Sequence, residues 1–248
     1  MIAFFKTILY FPLYNLLVFL TGVLPGADLG LAIIILTILV RLILFPLEHR
    51  RSRLQQAMKI IQPQIEDLKK KLGTDREKLA RETFALYRRH GVNPFSTVII
   101  SLVQIPILLT LFFVFRAGLP FAAADLYSFV SLPDLVNSNF LGLIELTSRS
   151  IPLALFAGLT QFFQLRLSVP PMPAKKDGQA KSFSDDLARS MNINMRYFFP
   201  VMIIFISLGF PAALVLYWST SNLFMIAHEL FVRRRAGRLE TSAKVKPV

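Results

Sequence analysis

Apolar residues in this chain gather into long runs that alternate with polar and basic segments. The runs cover about residues 29–47, 95–115, 150–167 and 197–232. A helix of about 20 apolar residues crosses the hydrocarbon core of a bilayer, so the first three runs fit one span each. The fourth run is too long for one span, and Gly209-Phe210-Pro211 divides it into two short ones. The pattern therefore predicts an all-α polytopic membrane protein with five transmembrane helices.

The first 20 residues are also apolar, but Lys6, Pro12 and Asn15 interrupt them. They fit either a span with Lys6 inside it or an amphipathic helix that lies in the outer interface, and composition does not separate the two. A cleaved signal peptide is disfavoured, because no A-x-A-like site follows and Pro12 splits the apolar region. Pro25-Gly26-Ala27-Asp28 then forms a turn, with Asp28 as the N-cap of the next helix.

The span at 29–47 contains one fixed cation, Arg41, and it ends at Pro46 and a basic run. Arg41 lies about 20 Å from the outer end and about 9 Å from the inner end of that span. Ionisable residues inside spans usually face a bundle interior or a wet cavity, so Arg41 is a functional candidate. In the alternative interpretation it only snorkels to the inner headgroups. Thr37, one turn away on the same face, adds a second polar group.

Residues 50–90 are polar and predict a cytoplasmic helical hairpin. Thr74-Asp75-Arg76-Glu77 is a capping box that opens its second arm, and Pro63 is expected to kink or divide the first. The segment either only links two spans or, because residues 48–92 carry 12 basic against 6 acidic residues, contacts anionic headgroups or ribosomal RNA. Apolar residues repeat at steps of four and three along both arms and form a coiled-coil-like seam: Leu54, Met58, Ile61, Ile65, Leu68, Leu72, Leu79 and Leu86.

The remaining spans carry polar residues that need a partner or water within a bilayer. Gln104 lies in the second span, which Asn93-Pro94 opens, and Gln161 and Gln164 lie near the inner end of the third. Such residues either form hydrogen bonds between helices or line a hydrophilic recess. The last span carries a polar patch in its middle: Tyr217, Trp218, Ser219, Thr220, Ser221 and Asn222.

Composition and charge fix the orientation of the spans. The 248 residues are 54% hydrophobic with a net charge of +13, and Lys and Arg concentrate in 48–92, 169–196 and 233–248. By the positive-inside rule these segments are cytoplasmic, so the C-terminus is inside and the N-terminus is outside, unless the first 20 residues also span, which would place the N-terminus inside. The chain has no cysteine, and its three histidines stand in no metal-ligand spacing. We find no nucleophile–base pair or phosphate loop, and so expect no enzyme, no cofactor and no metal.

Five segments carry a family signature when they are taken in order. They are T-I-L-V-R-L-I-L-F-P-L, I-I-Q-P-Q-I-E-D-L-K-K-K-L-G, E-T-F-A-L-Y-R-R-H-G-V-N-P-F, L-V-Q-I-P-I-L and F-P-A-A-L-V-L-Y-W-S-T-S-N-L. Each motif by itself has low specificity for any family, but their order, spacing and predicted topology together form a specific signature. Over roughly residues 4–235 the chain resembles the YidC/Oxa/Alb3 family of membrane protein insertases, in a short, bacterial-type form.

The resemblance implies a protein that helps insert and fold new membrane proteins into the bacterial inner membrane, alone or with the Sec translocon. It implies a hydrophilic groove that is open to the cytoplasm and the lipid but closed on the outer side. It favours an interfacial helix at the N-terminus. The groove residues expected to meet the client, the nascent membrane protein, are Arg41, Thr37, Gln104, Tyr217, Trp218, Ser219 and Asn222.

The expected organisation runs from an interfacial helix to a basic tail. Its segments are the N-terminal helix (1–27), the first span (28–47), the cytoplasmic hairpin (48–92), the second span (93–116), an outer loop (117–149), the third span (150–168), a cytoplasmic loop (169–196), the fourth and fifth spans (197–210 and 211–232) and the tail (233–248). Basic residues of the tail are expected to contact the ribosome or anionic lipid: Arg233, Arg234, Arg235 and Arg238.

Two rival functions belong to other classes. A small transporter or channel would use Arg41 as an anion site, although no repeat of spans supports an inverted-repeat transporter. A structural assembly factor would chaperone spans that are already inserted, without moving polar segments across the membrane.

Overall fold

The computed structural model describes residues 6–72, 75–91, 93, 104–116, 121–169, 190 and 192–244. Helical segments make up 79% of these residues, so the predicted all-α class is confirmed. The helices are α1 (Phe11–Val23, after a π-helical turn Lys6–Tyr10), α2 (Leu29–Ile43), α3 (Phe45–Leu72), α4 (Arg76–Arg89), α5 (Gln104–Arg116), α6 (Ile151–Ser168), α7 (Phe199–Ser207, after a π-helical turn Asn194–Phe198) and α8 (Ala212–Lys244).

The chain divides into two compact units. One comprises residues 1–43 and 106–248, and the other comprises residues 44–105. Within the larger unit, α8 packs against α6 and α2, α7 packs against α6, and α1 packs against α2. The α6–α7 contact is tight, since a Cβ added at Gly158 would collide with the Ile204 side chain.

The helix that carries Arg41 ends earlier than the predicted span. Instead of continuing to residue 47, α2 ends at Ile43, and α3 begins at Phe45 after a turn at Leu44. Pro46 explains the shift, because its ring would clash with the carbonyl four residues earlier if one helix continued through it. It is tolerated in the first turn of α3, where its missing N–H is not needed.

The outer loop is folded over residues 121–149 and carries a short antiparallel hairpin. Strand β1 (Asn139–Phe140) pairs with β2 (Ile144–Glu145), and β1 packs on α2. Between them the backbone is left-handed at Leu141 and Gly142, which the glycine accommodates without strain.

Hydrogen bonds tie this outer loop to the start of α2. The Asp28 carboxylate accepts from the amides of Gly30 (2.7 Å) and Leu31 (3.0 Å), which confirms the predicted N-cap. The same carboxylate accepts from the amide of Leu141 in the loop at 3.1 Å. Main-chain bonds join Asn137 to both sides of the cap, one donated to the Ala27 carbonyl and one accepted from Leu29, each 3.0 Å long.

The outer loop also holds the start of α8. The amide of Ala212 donates to the carbonyl of Ser148 at 2.7 Å, and the amide of Ala213 donates to that of Leu146 at 3.0 Å. These two N–H groups belong to the first turn of α8, where no carbonyl of the same helix is available to them. The loop thus satisfies a helix end that Pro211 leaves open, and the predicted break at 209–211 is confirmed.

The smaller unit contains the predicted hairpin. Ile61 and Ile65 of α3 are buried and pack with Leu86 and Tyr87 of α4, along the predicted seam. Pro63 does not divide α3, which runs unbroken from Phe45 to Leu72. The second arm begins one residue later than the capping box predicts: Asp75 is the N-cap and accepts from the amide of Lys78, while Thr74 lies outside the described residues.

Among the described helices, Lys6–Val23 is long and apolar enough to cross a membrane by itself. The consecutive segments Leu29–Ile43 and Phe45–Met58 reach that length if they form one broken span, and Ile105–Phe115 and Asn194–Ser207 are shorter apolar helices. Much of the second span (94–103) and of the cytoplasmic loop (170–189) lies outside the described residues.

Candidate functional site

Arg41 and Thr37 lie on the packed face of α2. Buried residues follow one stripe along this helix at steps of three and four: Leu29, Gly30, Ala32, Ile33, Leu36, Thr37, Val40 and Arg41. The Arg41 side chain therefore belongs to the face that packs in the protein, and only 7% of the residue's surface is exposed. Thr37 is fully buried, and its hydroxyl donates to the Ile33 carbonyl at 2.6 Å. The opposite face, with Leu42 and Ile43, is exposed.

The polar patch of the last predicted span lies in the N-terminal half of α8, which packs against α2 on one side and α6 on another. Tyr217, Ser219, Ser221 and Asn222 are buried. The Ser219 hydroxyl donates to the Val215 carbonyl of its own helix at 2.9 Å. The patch thus faces other helices rather than lipid.

Trp218 and Asn222 form a hydrogen-bonded network with α6. The indole N–H of Trp218 donates to Oε1 of Gln161 at 2.8 Å, and Nδ2 of Asn222 lies 3.2 Å from the same oxygen. A further contact of 3.3 Å joins Nδ2 of Asn222 to the hydroxyl of Thr160. One glutamine therefore holds two side chains of α8.

The network continues along α6 toward its C-terminus. Nε2 of Gln161 donates to Oε1 of Gln164 at 3.2 Å, and Nε2 of Gln164 donates to the Ser168 hydroxyl at 3.1 Å. Thr160 and Ser168 did not stand out in the sequence, because single hydroxyl residues are common in membrane helices. Thr160 and Ser168 each lie four residues from Gln164, and Gln161 lies three residues from it, so all four share one helix face; this was the available signal.

The other predicted site residues lie apart from this network. Gln104 is the first residue of α5, and its side chain lies outside the described part of the chain. Arg233 lies on α8, where its Nε donates to a buried Glu229 carboxylate at 3.0 Å and its Nη2 donates to the Leu167 carbonyl at the end of α6. Arg234 is exposed. The side chains of Arg235 and Arg238 lie outside the described residues, on the helical continuation of α8 to Lys244.

The arrangement is one for binding rather than for bond-making. Within the described residues, no group of three or more His, Asp or Glu side chains could hold a metal ion. What the bundle contains instead is a buried cation on α2 and a set of amide, hydroxyl and indole groups between α6 and α8. Such groups can hold polar backbone or acidic side chains by charge and hydrogen bonds.

Comparison with known proteins gives a consistent result. The family described as "60Kd inner membrane protein" matches residues 19–238. The chain is 34% identical over 230 residues to the "Membrane protein insertase YidC" of Fusobacterium nucleatum, which covers 90% of this chain and 98% of the relative. It is 33% identical over 211 residues to the protein of that name from Clostridium tetani, covering 85% and 84%.

A longer relative matches through only part of its length. The Cellvibrio japonicus protein, also named "Membrane protein insertase YidC", is 32% identical over 235 residues, which are 94% of this chain and 37% of the relative. The match to residues 19–238 includes Arg41, the hairpin, the polar network of α6 and α8, and Arg233. The chain therefore belongs to the 60Kd inner membrane protein family, the family of the YidC membrane protein insertases.

Proposed function

We propose that this protein is an insertase that moves polar outer segments of new membrane proteins across the inner membrane, with Arg41 as the central attracting charge. The observation that carries the proposal is the position of Arg41 on the buried stripe of α2. Burial of this guanidinium within the bundle favours a functional role over snorkelling, because ionisable residues inside membrane spans usually mark functional pathways.

The physical task is to lower the cost of taking polar backbone through hydrocarbon. Each unsatisfied backbone group there costs several kcal/mol. A hydrophilic groove that reaches partway across the bilayer shortens the apolar path, and apolar client residues leave it sideways into lipid. Arg41 attracts acidic residues of the client more strongly in such a recess than in water. In the described conformation Arg41 and Thr37 are enclosed, so the client-receiving form must expose them more.

The contacts of the outer loop support an outer closure and an interfacial N-terminal helix. The loop binds residues near both ends of that helix: the Tyr14 hydroxyl accepts from the Ala122 amide at 2.6 Å, the Asn15 side chain accepts from the Tyr127 amide at 2.6 Å, and Ala27 accepts from Asn137.

If the N-terminal helix crossed the bilayer, the outer loop would have to follow it through the hydrocarbon. Irregular backbone exposed to lipid is not found at that depth. If the helix lies parallel to the outer surface, all these contacts can form at the same depth in the membrane. We therefore place five spans after this helix.

We further propose that the groove wall includes Tyr217, Ser219 and Gln104, and that Trp218 and Asn222 are shared between the groove and the α6 network. The basic residues of the tail, Arg234, Arg235 and Arg238, would bind the ribosome through salt-sensitive contacts. Cooperation with the Sec translocon is compatible with this role and is not required by it.

The test is insertion of a short, negatively charged single-span client into vesicles that contain the purified protein. Arg41→Ala should abolish most insertion, and Arg41→Lys should retain part of it, because charge rather than the guanidinium fork is proposed to act. Arg149→Ala, at an exposed position of the outer loop, is the matched control and should insert normally. Full insertion by Arg41→Ala would refute the proposal.

Two further measurements test the alternative channel function and the proposed binding to the ribosome. Ion flux through the purified protein would support a channel instead. Alanine at Arg234, Arg235 and Arg238 together, with Arg233 left in place, should weaken ribosome cosedimentation at low salt. Unchanged cosedimentation would remove the ribosome from the proposal without touching the role of Arg41.

A further inference from the structure

A groove of about 610 Å³ runs along the surface between α6 and α8, apart from Arg41. Its volume is in the range of about 300–1,000 Å³ that is typical of ligand sites. Apolar side chains form its walls, and two arginines, Arg166 and Arg233, lie at one end. The apolar lining residues are Phe156, Leu159, Phe163, Leu167, Leu223, Ile226 and Leu230.

The length of the groove matches one leaflet of a bilayer. On α6, ten residues separate Phe156 from Arg166, and on α8 ten residues separate Leu223 from Arg233. At about 1.5 Å per residue, each arginine lies about 15 Å along its helix from the deepest apolar residue. This is half of the hydrocarbon core, which is about 30 Å thick. Both charges therefore lie at headgroup level when the apolar end lies near the midplane.

The charge at the groove mouth is positive. Arg233 pairs with the buried Glu229, and after its bonds to Glu229 and Leu167 it still has three N–H groups to donate. Arg166 is exposed and has no ion-pair partner among the described residues. Arg196 lies near the same helix end, where it donates to the Val169 carbonyl. Three arginines against one carboxylate leave the mouth cationic.

From this geometry we infer that the groove binds one anionic phospholipid of the inner leaflet. Its phosphate lies between Arg166 and Arg233, and its acyl chains lie on the apolar walls. Guanidinium groups bind phosphate in a bidentate manner, and basic pockets between membrane helices on the cytoplasmic side suit anionic headgroups. The site goes beyond the tail contacts proposed above, and it rests on the proposed orientation that places the end of α6 in the cytoplasm.

Capping of α6 does not account for all three arginines. Cations near a helix C-terminus are favourable, and Arg233 and Arg196 both bind terminal carbonyls. Arg166 makes no such bond among the described residues, yet it lines the groove opposite Arg233. Substitution of Arg166 should therefore weaken lipid binding without disturbing the C-terminal end of α6.

The experiment is native mass spectrometry of the full-length protein released from mild detergent, with phosphatidylglycerol and phosphatidylcholine as probes. The wild type should retain phosphatidylglycerol preferentially. Arg166→Gln should lower that retention about fivefold, the effect of one arginine near a membrane surface. Arg149→Gln is the matched control: it removes the same charge from an exposed position that does not line the groove, and it should retain lipid normally.

Further arms test the source of the phosphate and the role of the walls. Leu159→Trp fills the groove without changing charge and should also lower retention, and excess inorganic phosphate alone should not displace the lipid. Arg41→Ala should retain phosphatidylglycerol as the wild type does. The lipid measurement therefore tests this inference independently of the insertase proposal. Equal loss in Arg166→Gln and Arg149→Gln, equal retention of both lipids, or recovery of a second copy or a peptide in place of lipid would overturn the inference.

Discussion

Gln161 offers the sharpest test of how the bundle is held together. Its side chain accepts from Trp218 and Asn222, so Gln161→Leu removes two bonds between helices while keeping a similar volume. Hydrogen bonds between membrane helices contribute about 0.6 kcal/mol on average and about 1.7 kcal/mol at most. Asn222 keeps its contact with Thr160, whereas the Trp218 indole is left with an unsatisfied N–H. We therefore expect a loss of about 1–2 kcal/mol in the free energy of unfolding.

Gln164→Leu is the matched control. Gln164 is buried to a similar extent on the same helix, but its hydrogen bonds run to Gln161 and Ser168 within α6. Its loss should cost less than half as much. Unfolding in a denaturing detergent can be followed through the fluorescence of Trp218, which is the single tryptophan of the chain. Because the probe is the donor of the bond, Gln161→Leu should also change the emission of the folded protein.

Three results would contradict this reasoning. The first is an equal cost for Gln161→Leu and Gln164→Leu. The second is an unchanged Trp218 emission in Gln161→Leu. The third is strict additivity of Gln161→Leu with Asn222→Ala, since residues that share a hydrogen bond should show a coupling energy in a double-mutant cycle. Any of them would mean that the hydrogen bonds of Gln161 with Trp218 and Asn222 do not contribute to the stability of the bundle.

Other predictions concern the outer loop and a helix contact. Asp28→Ala should lower the unfolding free energy by about 1–2 kcal/mol, because it removes an N-cap and the bond to Leu141. Hydrogen bonds from Thr147 and Ser138 lower the pKa of Glu145 below its usual 4.5. Protection of the loop amides against hydrogen exchange should therefore fall as the pH drops below about 4.5. In Glu145→Gln, this protection should no longer depend on pH in that range. Gly158→Val should separate α6 from α7 and lower the thermal midpoint in detergent, whereas valine at exposed Leu159 should not.

The sequence predicted local features wherever one residue determines them. Asp28 follows a Pro-Gly turn and precedes an apolar helix, so its cap followed from the chain alone. Pro211 cannot continue a helix, which fixed the break before α8. The seam of α3 and α4 followed from steps of three and four, and Ile61 and Ile65 are buried as it requires. Of the two effects expected of Pro63, a division of the arm does not occur, since α3 continues through it.

The hydrogen-bond partners of the buried polar side chains could not be predicted from the sequence. Each glutamine predicts a need for a partner, but periodicity does not say which helix supplies it, so the role of Gln161 toward Trp218 required coordinates. The sequence predicted the outer loop but none of its contacts. Its bonds to α2 and α8 include backbone pairs, for example from Ala213 to Leu146, and backbone bonds leave no trace in side-chain patterns. Its bonds to α1 use the Tyr14 and Asn15 side chains, but the sequence does not say which loop residues meet them.

The two ends of the larger unit differ in their contacts and charge, and this difference bears on the proposed direction of insertion. At the outer end, Asp28, Asn137 and Leu146 join the loop to α2 and α8 through several hydrogen bonds, and a client segment that entered there would have to break them together. At the other end, α6 and α8 carry arginines and are joined by the Arg233–Leu167 contact. A proposed client with acidic outer residues is attracted to the basic end first and then to Arg41. Under the proposed function, we expect the hydrogen-bonded end to resist passage and the basic end to attract the client, so that entry from the cytoplasm is driven by the client's own burial in lipid.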